Sequence, residues 1–287
     1  MAPAISIVMR SHNDDRHIGR TLESLARQRC PRSFEIVSID DGSTDRTRGI
    51  IASYPEIRHV EPPAGPYVPG RTLNAAVKAC RGEVVVFNNA DAVPLDDDWL
   101  ERLTSPLFAE AGLAAAYANQ LPRADASYLV RKDHIRAFGD GRTAAKWRFF
   151  FSLASSAARR AELEAFPFSE TVCCSEDVEW ALRAVGRGRK IRYVPEARVE
   201  HSHNYSWREL ERRFYKEGGD SVQICGSPPG WFLTLGRAGM ETLRDWLFLA
   251  PRPAGWREFA AAPVRRFIQR CAYRRGALDA AGKRVES

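Results

Sequence analysis

The chain has 287 residues, 44% of them apolar and 28% charged. That length suits one large domain, or one domain with an appended subdomain, and the composition excludes disorder, collagen-like repeats and a coiled coil. The formal net charge is +7, but residues 251–287 hold nine Arg or Lys against three acids, so the body is close to neutral. This argues against a nucleic-acid partner and makes the basic tail a candidate for peripheral contact with an anionic membrane.

In chain order, 5–9 is a short apolar run of the kind a strand buried on both faces requires. Asn13, Asp14 and Asp15 can cap a helix whose inward face is Ile18, Leu22 and Leu25. A second strand is expected over 34–39, and the polar turn Asp40-Asp41-Gly42-Ser43-Thr44-Asp45 leads into a helix over 47–54. A third strand follows at 57–60, a Pro- and Gly-rich loop at 62–70, a helix at 71–80, a strand at 83–87 and a helix at 96–108. Strand and helix alternate, which predicts an α/β fold with right-handed crossovers and a mostly parallel sheet flanked by helices. Beyond residue 112 the pattern predicts a strand at 113–118, a helix-rich stretch at 131–165, a helix at 176–185, a strand at 190–194 and a mainly helical end.

In such sheets ligands sit beyond the carboxyl ends of the strands. Ser11-His12-Asn13, Asp40-Asp41 and Asn88-Asn89-Ala90-Asp91 all fall at such ends. The six cysteines are scattered without a Cys-x-x-Cys pair, so reduced thiols are expected. No stretch has the form of a leader, and none approaches the roughly 18 apolar residues of a spanning helix. The expected location is cytoplasmic, with the inner membrane face as a peripheral site.

The segments Ser6-Ile7-Val8-Met9-Arg10-Ser11-His12-Asn13, 40–45, Arg71-Thr72-Leu73-Asn74, Arg81-Gly82-Glu83, Asn89-Ala90-Asp91, Ser175-Glu176-Asp177-Val178-Glu179-Trp180 and His201-Ser202-His203 occur in an order that resembles family 2 glycosyltransferases of the GT-A fold. Within that family the chain looks like soluble bacterial rhamnosyltransferase-type members. The resemblance implies a nucleotide-sugar transferase domain over 1–220, divided near 110 into nucleotide and acceptor halves, with a helical basic extension over 221–287. It implies an inverting transfer from a dTDP-rhamnose or UDP-sugar donor to a hydroxyl of a cell-surface glycan or lipid-linked acceptor. The cofactor it implies is a divalent cation, Mg²⁺ or Mn²⁺.

The same resemblance places Arg10, Ser11, Asn13, Asp40, Asp41, Arg71, Asn74 and Asn89 at the nucleotide. Asp91 and His203 fall at the metal, Asp177 with Glu176 at the catalytic base, and Glu179 with Trp180 at the acceptor. The chemistry of these residue types agrees. A carboxylate such as Asp41 accepts from a pyrimidine imide N–H, and one at Asp91 can bind a cation that neutralises the leaving diphosphate. Inversion needs a carboxylate on the opposite face to take the acceptor proton. The sequence departs from the family's usual Asp-x-Asp at Asn89, where a neutral amide replaces an acid.

Three rival readings place other demands on the sequence. A dinucleotide-binding oxidoreductase needs a Gly-x-Gly-x-x-Gly turn after the first strand, and Arg10-Ser11-His12-Asn13-Asp14-Asp15 stands there instead; a sugar nucleotidyltransferase lacks its Gly-rich loop at the same place. A catalytically impaired sugar-nucleotide-binding or scaffolding protein is made conceivable by Asn89, while the presence of Asp41, Asp91 and Asp177 together speaks against it.

Overall fold

The computed structural model describes residues 2–142, 146–147 and 149–285. The chain divides into two compact units, one of residues 1–123, 136–171 and 176–201, the other of 124–135, 172–175 and 202–287.

The first unit is built on a mixed eight-stranded sheet flanked by helices. Its strands are β1 (Ile5–Ser11), β2 (Phe34–Asp40), β3 (Arg58–Val60), β4 (Val84–Asn89), β5 (Val93–Pro94), β6 (Leu113–Leu121), β7 (Ser155–Arg159) and β8 (Lys190–Glu200). The order is β3-β2-β1-β4-β7-β6-β8-β5. The β1–β2, β1–β4, β2–β3 and β6–β8 pairs are parallel, whereas β7 runs antiparallel to both β4 and β6, and β5 antiparallel to β8. Helices α1 (Ile18–Ala26), α2 (Thr47–Ala52), α3 (Pro69–Ala79) and α4 (Trp99–Ala109) occupy the crossovers. Alternation along the central strands sends Ile5, Ile7 and Met9 of β1 and Val84 and Val86 of β4 into one core with α1 and α4. It sends Val8, Val85 and Phe87 into the other with Leu73 and Val77 of α3.

Two expectations need correction here. The helix-rich reading of 131–165 misses β7, because Ser155, Ser156, Ala157 and Ala158 are small residues of low strand propensity wedged between β4 and β6; Arg148 in that segment lies outside the described residues. The expected cap of α1 by 13–15 is absent: its N-cap is His17, without a side-chain cap bond. Asp14 instead accepts from the His12 backbone N–H at 2.9 Å.

The second unit contains the start of helix α5 (Tyr128–Ala137), then α8 (Trp207–Cys225), α9 (Trp231–Leu249), a 3₁₀ turn (Pro253–Glu258) and α10 (Ala261–Val285); α6 (Arg160–Ala165) and α7 (Glu176–Gly186) precede these in the first unit. Ser206 and Glu209 form a reciprocal capping box at the start of α8. α8 and α10 cross with backbones in near contact: a Cβ on Gly218 would fall 1.9 Å from the Tyr273 carbonyl oxygen, and one on Gly276 1.9 Å from that of Tyr215. α8 thus belongs with the tail helix in the second unit.

The tail's arginines are largely consumed inside this unit. Arg266 forks onto Asp245 at 2.7 and 2.9 Å and reaches Asp133 at 2.8 Å, Arg270 pairs with Glu241, Arg275 with Glu211, and Arg274 stacks over Trp231. Burial works against the Asp245 charge, but hydrogen bonds from Arg266 and Lys132 outweigh it and hold its carboxyl below the usual range. The basic helix expected to face a membrane is docked on acids of its own unit. Among the described residues no helix is long and apolar enough to cross a membrane.

Candidate active site

The parallel register sets the polar strand ends side by side, with Ser11 beside Asp40 and Arg10 beside Asn89. Asp40 is buried and fully engaged. It accepts from the Ser11 hydroxyl at 2.7 Å, the Ser43 hydroxyl at 2.6 Å and the Ser43 N–H at 2.8 Å. Asn13 adopts φ +56°, a left-handed conformation that its short polar side chain tolerates. Its Oδ1 accepts from Thr44 N–H at 2.8 Å, and its own N–H donates to the Ser43 hydroxyl at 2.8 Å. These bonds tie the turns after β1 and β2 into one loop. Asp41 follows with its carbonyl on His12 Nδ1 at 2.6 Å. Among the described residues no hydrogen bond or ion pair engages its carboxylate.

Arg10 is the hub of the site. Its guanidinium donates to the Tyr67 hydroxyl and to Glu176 Oε1, both at 3.2 Å, and to Asn89 Oδ1 at 3.4 Å. Burial raises the Tyr67 phenol above its ordinary value; the Arg10 charge works against this and the Glu176 and Asp41 charges add to it, so both acids lie within electrostatic reach of one hydroxyl. Arg71 holds the Tyr67 loop by donating to the Pro66 carbonyl at 2.5 Å. Asn74 is held by the backbone of Phe168, donating at 3.0 Å and accepting at 2.9 Å, and also donates to Glu170 Oε1 at 3.2 Å. Both residues, expected at the nucleotide, hold neighbouring loops of the protein.

Asp177 opens α7 beside Glu176. Burial first, and then the Glu176 charge, push its carboxyl up to about 7, against the backbone N–H groups of Val178 and Leu153 and the charge of Arg10. Glu176 is buried and gives one oxygen to Arg10, while its other oxygen has no partner among the described residues. The acceptor expectations change. Trp180 is 0% exposed, donates its indole N–H to the Phe166 carbonyl at 2.8 Å and packs against Phe151 and Phe168, so its ring has no face open to a sugar. Glu179 is held by Arg183 one turn on, at 2.6 Å.

Asp91 ends the turn after β4, a turn shaped by Asn88, whose amide donates to the Ala92 carbonyl at 2.7 Å. Arg123, just past β6, donates to the Asp91 backbone carbonyl and, at 3.2 Å, to Asp91 Oδ2. Oδ1 faces His201 Nε2 at 3.5 Å. Gln120 gives its amide N–H to Ser152 at 2.8 Å, which turns its oxygen to His201 Nδ1 at 2.9 Å. With Nδ1 donating, Nε2 presents a lone pair toward a carboxylate oxygen, an arrangement that a cation between them stabilises. Sequence reading preferred His203; that residue stacks on Tyr205 in the second unit. Arg123 carries no motif, and only a fold that brings the residues just past β6 to the turn after β4 reveals it. Asp14 was likewise unforeseen: burial, with the Asp91 and Asp45 charges, pushes it up to about 6 against the His12 N–H.

The family model described as glycosyl transferase family 2 matches residues 6–161. The O-antigen chain rhamnosyltransferase WbaN of Salmonella anatum is 34% identical over 196 residues, 64% of this chain and 61% of that protein. RfbN of Salmonella typhimurium, of the same description, is 30% identical over 197 residues, 64% of this chain and 62% of its own length. The chain thus spans about three fifths of these curated relatives. Among solved structures, the mannosyltransferase PcManGT of Pyrobaculum calidifontis, in complex with GDP-Man and Mn²⁺, superposes with a TM-score of 0.69 at 17% identity, covering 99% of this chain and 88% of that one. Glucosyl-3-phosphoglycerate synthase of Mycobacterium tuberculosis, with Mn²⁺, UDP-glucose and phosphoglyceric acid, gives 0.59 at 20% identity over 79% and 81%. Both likenesses establish the GT-A fold.

Proposed function

Because the chain belongs to glycosyl transferase family 2, we propose that it moves a sugar from a nucleotide diphosphate to an acceptor hydroxyl with inversion, a hexosyl transfer whose donor is dTDP-rhamnose or a UDP-sugar and whose acceptor is a cell-surface or lipid-linked glycan. The observation that carries this reading is the cluster around Arg10, which pairs with Glu176 at 3.2 Å and reaches Asn89 at the end of β4 at 3.4 Å, with Asp177 next to Glu176 in the first turn of α7. In this reading Asp41 accepts from the base edge of the nucleotide. Arg10 and Arg123 place positive charge near the diphosphate. Asp177 takes the acceptor proton as the hydroxyl attacks, and its raised pKa makes it both ionisable and basic near neutral pH.

Asp91 and His201 offer an oxygen and a nitrogen donor suited to Mg²⁺ or Mn²⁺. A cation bound there would supply Lewis-acid neutralisation of the departing diphosphate. The names of the relatives support the donor class: rhamnosyl transfer for the two Salmonella proteins, nucleotide sugars with Mn²⁺ for the solved complexes.

The test is a thermal-shift screen of nucleotide sugars with and without Mn²⁺, followed by a transfer assay with the donor that binds. We expect one donor to raise the melting temperature more with Mn²⁺ than in chelator, and Asp91→Ala to abolish that difference. Full transfer in excess chelator contradicts the metal reading. A shift without any donor turnover favours a binding protein.

A further inference from the structure

Helix α9 is turned inside out. Its buried positions are Thr234, Ala238, Glu241, Thr242, Asp245 and Leu249, and its exposed ones include Trp231, Phe232, Leu235, Leu243 and Leu247. Phe232 is 96% exposed and Leu247 67%. A helix at a water-facing surface ordinarily buries its apolar stripe and wets its polar one. Here the polar stripe is the inner one, because Glu241 and Asp245 serve Arg270, Arg266 and Lys132. The apolar surface is continued by Trp256, Val264 and Phe267, all more than half or nearly half exposed.

The charge on this surface has one sign. All three acids between 231 and 258 point inward; the third, Glu258, accepts from the Tyr128 and Leu129 N–H groups at 2.7 and 2.9 Å and so caps α5. Arg237, Arg244 and Arg257 are exposed, and among the described residues no acid pairs with them. The indole N–H groups of Trp246 and Trp256 are satisfied by the carbonyls of Phe259 and Ala250, which leaves their rings free of a polar obligation.

We propose that this face of α9, with the 3₁₀ turn after it, seats the protein on an anionic lipid surface, the helix lying in the plane of the headgroups. Apolar and aromatic side chains enter the acyl boundary, and the unpaired arginines meet lipid phosphates. Charge complementarity selects this occupant. A second copy docked face to face would set Arg237, Arg244 and Arg257 against their own images and bury unpaired cations. The inference does not depend on the transferase reading, and it centres the membrane contact on α9 and the 3₁₀ turn rather than on the α10 arginines Arg266, Arg270, Arg274 and Arg275, which are engaged within the unit.

The test is flotation of the full-length chain with vesicles of phosphatidylcholine plus phosphatidylglycerol and with phosphatidylcholine alone, beside Phe232→Glu, Leu247→Glu and the pair Arg237→Glu/Arg244→Glu. All are surface positions, and thermal melts with and without donor check that fold and donor binding persist. Wild type is expected to float with the anionic vesicles, the first two variants to bind about tenfold or more weakly on both compositions, and the arginine pair to lose the preference for anionic lipid. Failure of the wild type to float overturns the proposal, as does undiminished binding by the glutamate variants. A concentration-dependent dimer that Leu247→Glu dissolves, without vesicle binding, assigns the face to a second copy instead.

Discussion

Two pairs of neighbouring carboxylates, Asp40–Asp41 at the end of β2 and Glu176–Asp177 at the start of α7, divide their labour in the same way. In each pair one acid is spent on the protein. Asp40 is closed in by Ser11 and Ser43, and Glu176 is tied to Arg10. Its neighbour is the one the proposed transfer uses: Asp41, whose carboxylate has no hydrogen-bond partner among the described residues, and Asp177, with a carboxyl lifted to about 7. Sequence adjacency therefore conceals a difference of role that the hydrogen-bond partners decide.

The comparison breaks most sharply at Asp177. Asp177→Asn is expected to cut transfer by about 10² to 10⁴-fold while nucleotide binding and the melting temperature hold, since it removes a base that folding does not need ionised. Comparable loss in nucleotide affinity would show that the acid positions the donor instead.

Asp40→Ala is expected to cost about 2–4 kcal/mol of stability, because the Ser11 and Ser43 donors lose a buried acceptor; denaturant unfolding measures it. Asp41→Ala should leave unfolding unchanged and weaken nucleotide binding about tenfold, the worth of one charge-assisted hydrogen bond. If the two alanines exchanged effects, the division within the first pair would be lost.

The smallest effect sharpens the second pair. Asp177 lies above its ordinary value, so it is protonated and idle at low pH and becomes competent as pH rises through about 7. Glu176→Gln removes a like charge and frees Arg10 to favour the Asp177 anion, so the acid limb of the kcat/KM profile should move to lower pH. A limb that stays in place, or moves up, separates Asp177 from the pH dependence.

Much of this was legible in the residues. Continuous apolar runs and polar turns gave β1, β2 and β4 and put Arg10, Asp41 and Asn89 at their ends, because a parallel strand buried on both faces has few other readings. Ser155–Arg159 was opaque, since small residues make a strand only where both neighbours already exist. Helical spacing finds the apolar stripe of α9 but not which side the fold covers; that depended on the ion pairs from α10. Trp180 reads equally as a sugar platform or a core residue until Phe151 and Phe168 are seen against it. The alternation of His201 and His203 puts them on one side of an extended segment, and only Gln120, 81 residues from His201, orients the first of them.

The central claim is a single displacement in which Asp177 deprotonates the acceptor across from the departing nucleotide. The configuration of the new glycosidic bond tests it most directly, read by proton NMR on freshly formed product from a donor of known anomer. An anomeric configuration opposite to that of the donor is the predicted result, and retention would contradict the account.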